Sequence, residues 1–143
     1  MTTPTYDQDF YSWSQRQAQL LRERRFADID LEHLIEEIED MGKSEKRALQ
    51  SYLEVLLMHL LKWHYQPAFQ GRSWACTIVE QRQRIEEHLA DNPGLKGILP
   101  ELIRRAYGYA ITGAVRETGL PAAHFPASCP WTFAEFMDTD FWP

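Results

Sequence analysis

The chain has 143 residues, 44% of them hydrophobic and 13% aromatic, and a formal net charge of −6. A chain of this length forms one domain by size, 1–143, and buries ~68% of its surface on folding, enough for a core without disulfides or a structural metal. The acidic balance excludes a surface given over wholly to nucleic acid or anionic membrane and leaves room for a local basic patch.

Without a charged, then apolar, then small-residue start, Cys76 and Cys129 read as free thiols of a reducing compartment, which places the protein in the cytoplasm. The most apolar run, Val55 to Leu61, is far shorter than the ~20 residues of a membrane span. No membrane association is expected.

Tyr6, Phe10, Trp13, Leu20 and Leu21 recur at helical spacing and predict a first helix from about Asp7 to Arg24. Asp30 is placed to cap a second, whose apolar stripe is Leu31, Leu34, Ile35, Ile38 and Met41; Gly42 and Ser44 mark either its end or a joint. A third helix, about Glu45 to Gln66, carries Leu49, Leu53, Leu56, Leu60 and Trp63 on one face, and Leu57, Met58 and Leu61 make it apolar nearly all round, as a central helix is. Pro67 ends it.

Ser73 is the expected cap of a fourth helix running to about Ala90 through Ile78, Ile85 and Leu89, and Asp91-Asn92-Pro93-Gly94 breaks it. Pro100 opens a fifth, with Leu102, Ala106, Ala110 and Ala114 inside and Gly119 as its stop. Beyond Leu120, three prolines predict an extended tail with a helical turn at Trp131 to Met137; its six bulky aromatics require it to be packed down. The fold class is all-α, an up-and-down bundle of about five helices with a C-terminal aromatic-rich extended segment.

These segments resemble a bacterial family known as domain of unknown function twenty-nine. The resemblance is carried by Tyr6 to Trp13, by LEHLIEEIEDMG from Leu31, LMHLLKWHYQP from Leu57 and SWACTIVEQR from Ser73, by Glu117-Thr118-Gly119, and by Cys129-Pro130-Trp131 through Phe141-Trp142-Pro143. It covers essentially the whole chain, as a complete member would. It implies an all-helical fold and no established activity, with a loose association to nucleic-acid binding.

Function is sought where polar groups fall on apolar faces. Glu32, Glu36 and Glu39 run along one edge of the second helix as an acidic line, either solvated or ion-paired. His59, Lys62 and Gln66 share an edge of the third, where they suit proton transfer or anion binding, or else a hydrogen-bonded His beside a Lys that lays its stem over apolar surface. Gln81 lies almost on the core line between Ile78 and Ile85, flanked by Arg82, and as a buried amide it needs a network. Glu117 sits at the dipole-disfavoured end of the fifth helix and needs a cation such as Arg82 or Arg105. The binding network expected from these positions is Glu36, Glu39, His59, Lys62, Gln66, Gln81, Arg82 and Glu117.

A second constellation is basic and aromatic: Trp63, Tyr65, Arg72, Trp74 and Arg84 surround the turn between the third and fourth helices. Such groups stack bases and hold phosphates, or else are core aromatics with balancing cations. No Glu-x-x-His pair, His-Glu-x-x-His, phosphate loop, nucleophile elbow or Cys pair is present, so no metal or cofactor is expected. The leading expectation is a noncatalytic binding or interaction module for nucleic acid or a partner protein. The alternative is a nucleic-acid-directed hydrolase using Glu39, His59 and Glu117, or Arg82 and His88, the last pair resembling the Arg and His of helical toxin ribonucleases.

Overall fold

The computed structural model describes residues 5–143. They form five α-helices and no strand: α1 (Phe10–Arg22), α2 (Leu31–Tyr65), α3 (Arg72–Asp91), α4 (Leu99–Thr118) and α5 (Phe133–Met137), joined in part by 3-10 turns at Pro67–Phe69, Pro93–Ile98 and Ala122–His124. The chain falls into two compact units, one ending at Lys43 and one beginning at Ser44. No helix among the described residues is long and apolar enough to cross a membrane.

In the N-terminal unit α1 begins three residues later than its periodicity predicts, because the Asp9 carboxylate accepts the Ser12 N–H at 3.0 Å and fixes the start. It ends through Arg24, a non-glycine residue at φ 58 that turns the chain back. Asp30 opens α2 as expected, its carbonyl accepting the Leu34 N–H at 3.0 Å.

The second and third helices expected from sequence are one element of 35 residues, with Gly42 and Ser44 inside it. A lone glycine costs a helix about 1 kcal/mol relative to alanine but keeps its N–H, so strong helix formers on both sides carry the helix through. The stripe expected to line a core here is uncovered: Leu31, Ile35, Ile38 and Met41 are 59%, 46%, 66% and 68% exposed. Residues 5–22 reach α2 instead at His33 and Glu37, away from the stripe.

The C-terminal unit holds the main core. Leu49, Leu53, Leu56, Leu57, Leu60 and Leu61 of α2 meet Ile78 and Ile85 of α3, Leu102, Ala106, Ala110 and Ala114 of α4, and Phe125 and Phe136 of the tail. The all-round apolarity of this stretch is therefore that of a central helix, as predicted. His88 of α3 reaches Glu45 and the ring of Tyr52, and Trp74 lies under Lys62, so α2 and α3 run antiparallel. Lys62 meets Glu117 and Met58 covers Gly113, so α4 runs parallel to α2.

A methyl group at Gly113 would fall 2.5 Å from Met58 Sδ, so the missing side chain is what seats Met58 against α4. The cap of α3 is Gly71, one residue before the helix start at Arg72, and Ser73 lies inside the helix. Pro100 sits in the first turn of α4, and Gly119 ends it in the left-handed conformation at φ 75, as its sequence position predicts.

Gly42 has open space around its Cα and helical backbone. Gly42→Ala is expected to raise stability by about 0.5–1 kcal/mol in urea unfolding. A loss would mean that the helix is broken there.

Candidate functional site

Two polar centres lie in the C-terminal unit. Lys62, only 6% exposed, donates to Glu117 Oε2 at 2.9 Å and sets its ammonium 4.5 Å from the centre of the Trp74 ring. Glu117 thus finds its cation in Lys62 rather than in Arg82 or Arg105. One turn before Lys62, the Nδ1–H of His59 donates to the Val55 carbonyl at 2.8 Å, which leaves Nε2 with its lone pair. Burial pushes the His59 imidazole below its ordinary pKa; the Val55 hydrogen bond opposes this and the Lys62 charge adds to it. The structure places His59, its pKa lowered, beside the closed Lys62–Glu117 ion pair.

Arg82 is the second centre and is 4% exposed. Its Nε donates to the Phe136 carbonyl at 2.9 Å and its Nη2 to the Phe141 carbonyl at 2.7 Å, while Nη1 is buried without a hydrogen-bond partner among the described residues. Its guanidinium also faces Trp142, at 5.4 Å from the ring centre. Burial lowers its pKa, and Asp138 opposes the shift. Arg82 is thus a clamp on the backbone of the tail. Gln81, expected in a network, instead has its Oε1 buried and without a hydrogen-bond partner among the described residues.

Gln66 lies in the turn after α2, its N–H donating to the Lys62 carbonyl at 2.8 Å. His88 is bound to the Glu45 carbonyl at 2.8 Å, a partner that Arg82 does not share.

The basic and aromatic residues are placed in separate packing contacts. Trp63 packs at a tilt against Trp142 with ring centres 4.9 Å apart, Tyr65 meets His124 and Phe125, and Trp74 lies under Lys62. Arg84 pairs with Glu80 at 2.8 Å, and Arg72 is exposed at the start of α3.

Glu36 and Glu39 belong to the N-terminal unit and are exposed. Here the structure reveals a centre that sequence reasoning missed. Asp30 Oδ2 accepts from His33 Nδ1 at 2.7 Å and from the Trp13 indole N–H at 3.0 Å, and the Asp30 N–H donates to Gln17 Oε1 at 2.7 Å. Tyr6 stacks on His33 with ring centres 4.1 Å apart and donates its hydroxyl to Glu37. These groups border a cleft of about 330 Å³.

The hydrogen bond from His33 draws the Asp30 pKa down, and the same bond draws that of His33 up. The Glu37 carboxylate, as acceptor, raises that of Tyr6. The signal that could have found this centre is Asp-x-x-His at a helix start, where the capping carboxylate reaches the ring of the third helical residue.

Among the described residues no group of three or more His, Cys, Asp or Glu side chains could hold a metal ion. Both cysteines are free, and burial raises the pKa of the Cys129 thiol.

Fold and side-chain placement define an all-α protein whose buried cations are engaged by its own carboxylate, ring and backbone groups. The chain belongs to the family described as Domain of unknown function DUF29, whose model matches residues 5–142. No curated protein and no solved structure matches it.

Removing Glu117 leaves Lys62 buried without its counter-ion, whereas Lys62→Met keeps the apolar stem and removes the need for one. Glu117→Gln is therefore expected to cost about 1–2 kcal/mol in urea unfolding, and Lys62→Met less. Equal losses would contradict this.

The His33–Asp30 pair carries a pH dependence. A raised His33 pKa gives stability that is lost as pH rises through its folded value; a lowered Asp30 pKa gives stability that is lost as pH falls through its own. The pair is thus strongest between the ordinary values of 3.8 and 6.5. Trp13 fluorescence, followed as the sole tryptophan after replacement of the other four by Phe, should change above the upper limit, and His33→Gln should abolish that change.

Proposed function

We propose that this protein is a noncatalytic interaction module that takes an amphipathic helix of a partner protein on the uncovered stripe of α2. The observation that carries the reading is the exposure of Leu31, Ile35, Ile38 and Met41, four large apolar side chains on successive turns of one helix. At ~100° per residue the first three fall within about 60° of one another, a seam of the kind that receives a helix as i, i+4 and i+7 anchors. Contiguous exposed apolar surface of this sort marks interaction sites.

Support also comes from the way the polar centres are engaged. Lys62 is occupied by Glu117, Arg82 by tail carbonyls and His88 by Glu45. The same engagement weighs against the hydrolase reading, because Arg82 and His88 have separate partners. The dispersal of Trp63, Tyr65 and Trp74 among packing contacts favours a protein partner over a nucleic acid.

A helical peptide with a leucine seam and glutamine flanks is expected to bind, and Ile35→Glu or Ile38→Glu to weaken it at least about tenfold in calorimetry, with helicity and melting unchanged because both side chains are exposed. Absence of binding by every such peptide, or binding indifferent to both substitutions, would sink the reading.

A further inference from the structure

The stripe of α2 has two unlike edges. With Leu31 taken as zero and ~100° per residue, Ile35 and Ile38 lie at about 40° and −20°, while Glu39, Glu32 and Glu36 follow on one side at about 80°, 100° and 140°. The other side carries Leu34 and Met41, at about −60° and −80°. The acidic line thus borders the exposed seam on one flank only, and all three of its carboxylates are exposed. Among the described residues none of the three makes an ion pair, and Glu37 on the far side is taken by Tyr6.

Between Leu31 and Met41 the sequence holds five carboxylates and no Lys or Arg. A second copy docking by the same stripe would double those carboxylates in one seam, a like-charge arrangement that disfavours self-association. An anionic surface is disfavoured in the same way. A cationic helix gains from the row through steering and through rim ion pairs that become partly desolvated.

Resting on the interaction reading, we infer that the occupant of this seam is a basic amphipathic helix of another protein, with its Lys or Arg residues along one edge of its apolar face. The apolar residues of the seam supply most of the affinity. The Glu32, Glu36 and Glu39 row selects the charge of the partner and sets which of its edges faces them. Because the carboxylates are exposed, the selection is screened by salt.

The test compares three helical peptides sharing one leucine seam, with Lys, Gln or Glu at three positions along one flank, titrated into the full chain at low and high salt. The Lys peptide is expected to bind about tenfold tighter than the Gln peptide at low salt, the Glu peptide weaker than both, and the differences to shrink as salt is raised. In Glu32→Gln/Glu36→Gln/Glu39→Gln the three peptides should bind alike and the affinity of the Gln peptide should be unchanged.

If the Gln peptide binds and the Lys peptide is no tighter, the charge inference is overturned while the interaction reading stands; if none binds, both fall. An Ile38-dependent dimer in sedimentation equilibrium would replace the basic helix by a second copy. Ile38-dependent binding to phosphatidylcholine vesicles without peptide binding would replace it by a lipid surface. Either result overturns the inference.

Discussion

An amphipathic helix needs cover for its apolar stripe on every turn, and α2 has that cover over only part of its 35 residues. From Leu49 to Leu61 the leucines are sealed: all six of them have no exposed surface. From Leu31 to Met41 the stripe lies open. The first condition provides the core of the C-terminal unit, since α3, α4 and the tail all pack on those leucines. The second leaves the protein with an unmet demand for apolar contact, and the functional reading grows from it.

Two buried cations show how the C-terminal unit satisfies its polar groups. Lys62 is balanced by a carboxylate and an aromatic face. Arg82 makes no ion pair among the described residues; main-chain oxygens take two of its nitrogens, and a third is left over. Charge-assisted bonds to carbonyls hold the tail against α3 with a rigid fork, a geometry that a lysine would not reproduce. Loss of the clamp would expose Phe136, whose ring has no surface open to solvent.

Local chemistry made much of the fold legible in sequence. Pro67, the Asp91 to Gly94 break and Gly119 act on their own backbone, and each ends its helix where that chemistry dictates. Gly42 misled because its cost is small beside the propensity of its neighbours, and Ser73 because the helix already starts at Arg72, with Gly71 as its cap. The site was less legible. Helical register brings His59 and Lys62 together, and the isolated Glu117 carboxylate demanded a cation, but that cation is Lys62 and not Arg82 or Arg105, a tertiary pairing on which spacing is silent. The partners of Arg82, the orphaned amide oxygen of Gln81 and the pairing of Tyr6 with Glu37 are tertiary matters on which spacing along the chain is silent. Above all, a helical stripe reads the same in sequence whether or not anything covers it.

Arg82 grips the tail by carbonyls and not by side chains. A clamp of that kind does not read side-chain identity, so the exposed Thr139 and Asp140 between its two anchor points tolerate substitution, whereas Asp138 favours the Arg82 charge and accepts the Asp140 N–H at 2.9 Å within the turn. The arginine has no such latitude. Substitutions at exposed positions between the anchors therefore leave the clamp in place, while a single change of Arg82 on α3 removes both of its bonds to the tail at once.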